Sequence, residues 1–161
     1  MSIDAMSLRA MLANYPTGIC VITARNEVGD PVGMVVGTFT SVSLDPPLVG
    51  FLPGKQSRSW QQIEEAGRFC VNILAMDQRP VCDQIWKQPT DKFAGLELSF
   101  EGDGLPCIAG AVAWIFCDIH GVLDAGDHWF VLGRVTGFDR AEDRDPILFY
   151  RGRYGGFADI A

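Results

Sequence analysis

Positive charge is in short supply: 13 Lys and Arg face 20 Asp and Glu across 161 residues, for a formal charge of −7. Gripping a nucleic-acid backbone requires clustered cations and these are scattered, so no nucleic-acid partner is expected. Long apolar runs are missing too. The longest, Ile108 to Cys117, is about half the ~20 residues that span a bilayer, and MSIDAMSLRA has no basic segment followed by an apolar one. A cytoplasmic protein with no membrane partner is the expectation. Histidine is limited to His120 and His128, whose spacing fits no standard zinc pattern, while Asp118, Asp124 and Asp127 read as turn residues; no metal is expected. The five cysteines (20, 70, 82, 107 and 117) form no CxxC pair, and an odd number cannot all pair within one chain. They read as reduced core thiols. Gly50 and Gly54 enclose three residues where a phosphate-binding P-loop needs four, and Lys55 is followed by Gln56. No GxGxxG and no GxSxG occurs, so neither a Rossmann dinucleotide site nor a hydrolase elbow is supported.

What the chain does have is a hydroxyl-rich centre. Gly33 to Pro47 reads GMVVGTFTSVSLDPP, in which Thr38, Thr40, Ser41 and Ser43 stand inside an otherwise strand-like apolar context. In an extended strand Phe39, Ser41 and Ser43 share one face and Thr38, Thr40 and Val42 the other, so both faces carry hydroxyls. Buried hydroxyls need partners. Cross-strand pairs, a turn at Ser43-Leu44-Asp45, or a polar ligand such as a phosphate or polyol compete as the supplier.

The remaining pattern is short strands with a few helices. Ala5, Leu8, Met11 and Leu12 repeat at helical spacing before Pro16, as a helix that packs like a flap on something larger. Thr17–Ala24 and the run after Val32 read as strands around a turn at 26–31, followed by Leu48–Leu52. Ser57 or Ser59 caps a helix that carries Trp60, Ile63 and Ala66 on one side and stops at Gly67. Phe69–Leu74 is a strand, and Asp77 is placed to cap a helix with Val81, Ile85 and Trp86 facing inward. Asp91-Lys92-Phe93 is a loop and Gly102-Asp103-Gly104 a turn. Ala111–His120, His128–Asp139 and Ile147–Arg151 complete the strands, and YRGRYGGFADIA closes the chain as a mobile tail. Seven to nine strands and three helices favour a mainly β, α+β fold: a closed or nearly closed barrel with helical excursions, in one domain spanning residues 1–161.

One further constellation carries chemistry. Lys55-Gln56-Ser57-Arg58-Ser59 sets two cations and two hydroxyls at a helix start, where backbone N–H groups attract anions. It reads either as a phosphate cradle or as an ordinary cap between solvated charges.

Taken together, PTGICVIT from Pro16, GMVVGTFTSVSLDPPLV from Gly33, KQSRSW from Lys55, GRFCVNIL from Gly67, DKFAG from Asp91, GDHWFVLGRV from Gly126 and LFYRGRY from Leu148 resemble, in order, the flavin reductase family with the FMN-binding split barrel. The wording of KQSRSWQQIE, GRFCVN and FYRG is especially similar to reductases that serve hydroxylases of phenols. The resemblance implies an NAD(P)H:flavin oxidoreductase, with FMN or FAD as flavin and NADH or NADPH as hydride donor. It also implies a homodimer and a separate oxygenase that receives reduced flavin. Thr38, Ser41 and Ser43 would meet the flavin ring edge, ribityl chain or phosphate, helped by backbone groups of Gly37, Phe39 and Thr40. Ser57 and Ser59, with Lys55 or Arg58, would hold phosphate, with Lys92 near the phosphates or an adenosine. His128, Tyr150, Arg151 and Tyr154 would flank the nicotinamide dinucleotide, His128 positioning the reacting ring. No acid or base is needed at the moment of hydride transfer, so positioning groups suffice.

Departures stand beside these matches. Val35 and Cys20 replace frequent threonines, and Gly37-Thr38 replaces a Ser-Ser pair; the loss of a hydroxyl near the ring weakens flavin binding, shifts the flavin's potential, or favours a flavin that leaves. His128 also fits a plain surface turn. Two rival functions use the same barrel: a flavin-binding or electron-relay module without turnover, and a reductase that keeps its flavin and serves another acceptor.

Overall fold

The computed structural model describes residues 3–141 and 143–160. Its central element is a seven-stranded antiparallel sheet. The strands are β2 (Cys20–Arg25), β3 (Pro31–Val36), β4 (Thr40–Leu44), β5 (Pro47–Phe51), β6 (Arg68–Ile73), β9 (Ala113–Ala125) and β10 (His128–Arg140), in the order β3-β2-β6-β9-β10-β5-β4. Strands β3 and β4 are therefore the two outer edges, yet only Gly37, Thr38 and Phe39 connect them. Laid flat, seven strands would hold their edges roughly 29 Å apart at 4.8 Å per spacing. The connection from Val36 to Thr40 reaches at most about 14 Å. The sheet must curl until its edges nearly meet, and since no ladder joins β3 to β4 it is a barrel split along that seam.

The interior is filled from both ends of the sheet and from helix α2 (Arg58–Ala66), whose Trp60 and Ile63 are fully buried against Ile22, Phe51, Phe69, Val71 and Val131. Phe51 meets Trp60 and Phe69 edge to face at 5.8 and 5.2 Å, an arrangement favoured by the ring quadrupoles. Of the two candidate serines, Ser57 is the cap, accepting from the Trp60 N–H at 3.2 Å; Gly67 ends the helix at φ +73°. The outer face of β2 is covered by helix α3 (Arg79–Lys87), with Ile19, Val21, Leu74, Cys82, Ile85 and Ile147 in one cluster. Burial on both faces explains why Cys20 to Ala24 of β2 are buried in succession rather than alternately. A hairpin of β7 (Leu98–Glu101) and β8 (Leu105–Ile108) lies against β2 and β6, and β1 (Thr17–Gly18), β11 (Leu148–Tyr150) and β12 (Arg153–Gly155) form a small second sheet.

The fold class matches the expected split barrel with three helices, with several corrections to the parts. Twelve strands are present among the described residues, more than the expected seven to nine, because short pieces such as β1 and β12 each pair with β11. Arg153–Gly155 of the expected tail is thus a strand. Asp77 caps no helix; it lies in a 3₁₀ turn, Met76–Gln78, facing Arg144, while the Gln78 amide accepts from Ala75 N–H and donates to Ala109 C=O. Trp86 points outward and is 70% exposed, since one step past Ile85 rotates ~100° away from the buried stripe of Cys82 and Ile85. Helix α1 (Ala5–Leu12) forms with Asp4 as its cap, but none of its residues is buried within this chain. The hydroxyl-rich stretch is not one buried strand either. It breaks at Gly37, β4 is a mostly exposed edge, and a bulge at Val42 interrupts the expected alternation of faces.

Candidate functional site

The break at Gly37 places the predicted residues along the barrel's seam. The Thr38 hydroxyl accepts from Leu52 N–H at 3.0 Å, tying the break to the end of β5, and Thr40 donates to the Ser41 carbonyl at 3.1 Å. The hydroxyls of Ser41 and Ser43 have no partner among the described residues and face outward or half outward. Phe39 turns inward and packs against the barrel core.

From Leu52 the chain runs into the loop Pro53–Gln56 and α2. Ser57 N–H donates to Gly54 C=O at 3.0 Å, which sets the helix start. Among the described residues, the N–H groups of Arg58 and Ser59 have no hydrogen-bond partner, as befits the first turn of a helix. Lys92 reaches this point from a loop 33 residues further on, donating to Ser59 Oγ at 3.0 Å and to Gly33 C=O at 3.2 Å. The ammonium is half buried, desolvation lowers its pKa, and no carboxylate among the described residues pairs with it. Gly33 is required for this geometry: a Cβ there would stand 2.7 Å from the Phe93 ring and 2.8 Å from the Ile22 carbonyl. Phe93, buried beside it, anchors Lys92. Both serine oxygens act as acceptors, Ser57 from Trp60 N–H and Ser59 from Lys92, so each O–H proton remains available to donate. Capping and anion binding are compatible at these serines. Arg58 is exposed beside them.

Lys55, expected at the same phosphate, is turned elsewhere. It pairs with Asp124, lies 4.5 Å from the Trp129 ring centroid, and thereby joins the β9–β10 turn. His128 is next to it. Its Nδ1 is 2.7 Å from Asp127 Oδ1, it forms an isolated bridge with Gly54, and its side chain is 44% exposed. The hydrogen bond from His128 lowers the Asp127 pKa, and that from Lys55 lowers the Asp124 pKa. The sequence reading missed both aspartates as partners, having read them as turn residues.

The third group lies on the small sheet. Arg151, at φ +48°, donates through Nε to Asn14 Oδ1 at 2.8 Å and covers the Tyr150 ring at 5.1 Å. Tyr154 packs edge to face on Phe149 at 5.4 Å, with its hydroxyl near Cys82 and Asp83; burial and then the Cys82 contact push that phenol up to about 12. No hydrogen bond, ion pair or ring contact among the described residues links this group to His128. Tyr154 instead shares a mostly apolar cavity of about 370 Å³ with Thr17, Val35, Gly37, Trp86 and Phe149. Two of the three positions that lack the expected hydroxyls, Val35 and Gly37, line it. A second cavity, of about 510 Å³, opens beside Lys92, Gly33 and Gln62.

The site thus offers a half-buried cation beside free helix N–H groups, unpartnered hydroxyls along an exposed edge, and an aromatic-lined hollow. These donors suit a phosphorylated, polyol-bearing planar ring, and no step of such a fit requires a metal.

Comparison with known proteins agrees. Residues 12–158 match the family described as flavin reductase like domain. The chain is 50% identical over 159 residues to a flavin reductase of Pseudomonas putida, covering 99% of this chain and 94% of that one. The solved structure of a homolog of nitrilotriacetate monooxygenase component B from Mycobacterium thermoresistibile is similar with a TM-score of 0.92 at 44% identity, over 95% of this chain and 86% of that one. The NADH:FAD oxidoreductase SgcE6 of Streptomyces globisporus, solved with NAD and FAD fragments, gives 0.90 at 35% identity over 96% and 93%. With its split barrel and its match along nearly the whole sequence, this chain belongs to the flavin reductase like family.

Proposed function

We propose that the chain is an NADH-dependent flavin reductase that passes a hydride to FMN or FAD and releases the reduced flavin to a separate oxygenase, with residues 1–161 acting as one domain. The observation that carries this reading is Lys92: a half-buried ammonium with no carboxylate partner among the described residues, bonded to Ser59 in the first turn of α2, where the N–H groups are unused. A flavin phosphate supplies the missing negative charge. Ser57 and Ser59 donate their free O–H protons to it. Ser41 and Ser43, with backbone groups at Gly37, Phe39 and Thr40 and the Thr38 side chain, bind the ribityl chain and ring edge. Bound flavin supplies the two-electron acceptor, so the chain's task is to hold two rings in contact and exclude water.

His128 acts as a positioning group at the other partner. When the ring is neutral with its proton at Nδ1, Asp127 accepts there and Nε2 is left to accept from the nicotinamide amide. Tyr150, Arg151 and Tyr154 offer rings and a guanidinium to the rest of the dinucleotide. Val35 and Gly37 contribute no hydroxyls to the hollow beside them, which favours a flavin that exchanges over one held permanently. The relatives named as reductases or as monooxygenase components support the oxygenase partner. Exposed Met6, Leu8, Met11 and Leu12 on α1 and Leu44 on β4 support a homodimer, which light scattering in solution tests. Five unpaired, buried thiols support a reducing, cytoplasmic setting.

The functional test is anaerobic mixing of the protein with NADH and FMN or FAD while the flavin absorbance is followed, then aerobic NADH oxidation with and without free flavin. Bleaching in the first and flavin-dependent turnover in the second are expected. Absence of NADH oxidation overturns the proposal, and turnover indifferent to added flavin assigns the electrons to another acceptor.

A further inference from the structure

The barrel carries a second reactive arrangement that the flavin reaction does not use. Cys70 on β6 and Cys107 on β8 come from positions 37 residues apart, and their sulfurs lie 4.0 Å from each other. They form a cluster of their own with Leu105, packed by Trp114 and Phe116. Cys107 also lines a cavity of about 250 Å³ with Ser99, Glu101, Trp114, Phe116 and Asp139. That opening borders one thiol, Cys107, which is 2% exposed, while the other, Cys70, is fully buried 4.0 Å away. Neither residue belongs to the flavin or dinucleotide groups described above.

We infer that Cys70 and Cys107 are a hydroperoxide-reactive dithiol, with Cys107 attacking first and Cys70 resolving the product to an intramolecular disulfide. The environments of the sulfurs agree with that order. The hydrogen bond from Cys70, helped by the Glu101 backbone, lowers the Cys107 pKa, whereas the same contact together with burial raises that of Cys70. Burial holds Cys20 and Cys117 up to about 12, which keeps them as unreactive thiols. The Cys107 thiolate attacks one peroxide oxygen, the O–O bond breaks, and the departing hydroxide takes up the proton Cys107 released, leaving a sulfenic acid and one water. The Cys70 sulfur then attacks the Cys107 sulfur, the S–O bond breaks, and a second water leaves. Two thiols and one peroxide give one disulfide and two waters. Side-chain rotation must bring the sulfurs from 4.0 Å to about 2.05 Å. Under the proposed function, reduced flavin that meets dioxygen before an oxygenase generates this oxidant, but the dithiol chemistry stands without it.

The test supplies hydrogen peroxide directly to the flavin-free protein, alkylates the remaining thiols and maps the peptides by mass spectrometry. Expected is a Cys70–Cys107 linkage with Cys20, Cys82 and Cys117 still alkylated. The variant C70S is expected to accumulate a sulfenic acid at Cys107 that dimedone traps, and C107S to form no linkage at all. Linkages scattered over other cysteines, oxidation beginning at Cys82, or two intact thiols at Cys70 and Cys107 after peroxide has consumed an equal amount of free glutathione would each overturn the inference.

Discussion

Two corners of the candidate site handle charge in opposite ways. At the start of α2 the Lys92 ammonium is half buried and held by Ser59 and the Gly33 carbonyl, with no carboxylate beside it. At the β9–β10 turn Lys55 and His128 each already have an aspartate, and both of those carboxylates are largely in water. Desolvating a cation without a counter-ion costs stability, a cost that a bound anion offsets. Exposed ion pairs cost little and exchange freely. The first corner therefore suits the phosphate of a ligand that must be seated before reaction, and the second a dinucleotide that enters and leaves in every cycle.

The comparison is broken most severely at Lys92. Lys92→Met is expected to weaken FMN binding by about 2–3 kcal/mol, the worth of charge-assisted hydrogen bonds to a phosphate, while riboflavin, which has no phosphate, binds it as well as it binds the wild type. Fluorescence titration with both ligands reads the difference, and parallel losses would remove the phosphate from this corner. Replacing Ser57 and Ser59 together by Ala should cost ~1–3 kcal/mol in FMN affinity. Ser57→Ala alone should lower unfolding stability in urea by about 1 kcal/mol through the lost cap. A stability loss with an unchanged FMN titration would make these serines purely structural.

At the other corner the effects are smaller. His128→Ala is expected to raise KM for NADH by roughly threefold to tenfold, about one neutral hydrogen bond, with flavin Kd unmoved; equal changes in both would take His128 away from the nicotinamide. The pairing of Lys55 with Asp124 holds that carboxyl below its ordinary pKa, so its contribution is present above the unfolded value of about 3.9 and fades as pH falls through the lowered folded value. Urea midpoints of wild type and Asp124→Asn should differ slightly near neutrality and converge on acidification. A difference that grows in acid would contradict the pairing.

Local chemistry made some of this readable in advance. The Ser57 cap, the Gly67 stop, the turn at Gly126-Asp127 and the strand pairs around it depend on neighbours within a few residues, and those signals lie in the sequence. The outward Trp86 and the unburied α1 depend on what else packs there, which no periodicity records. The phosphate corner is the sharper case. It gathers Gly33, Ser59 and Lys92 from three separate stretches, and the Gly33 contact with Phe93 that makes it possible exists only once the barrel has closed. Spacing alone left Lys55 to Ser59 divided between cradle and cap; the family resemblance named Lys92, and the fold supplies the reason it stands there. Lys55 shows the converse. Its place in the motif suggested a phosphate ligand, and its side chain pairs with Asp124 on the far side of the loop.

The most direct test is a parallel titration of the unmodified protein with FMN and riboflavin at low and high ionic strength. If the uncompensated ammonium and the α2 N–H groups hold the flavin by its phosphate, FMN binds about tenfold or more tighter than riboflavin, and the gap narrows as salt is added. Equal affinities at low salt would contradict it.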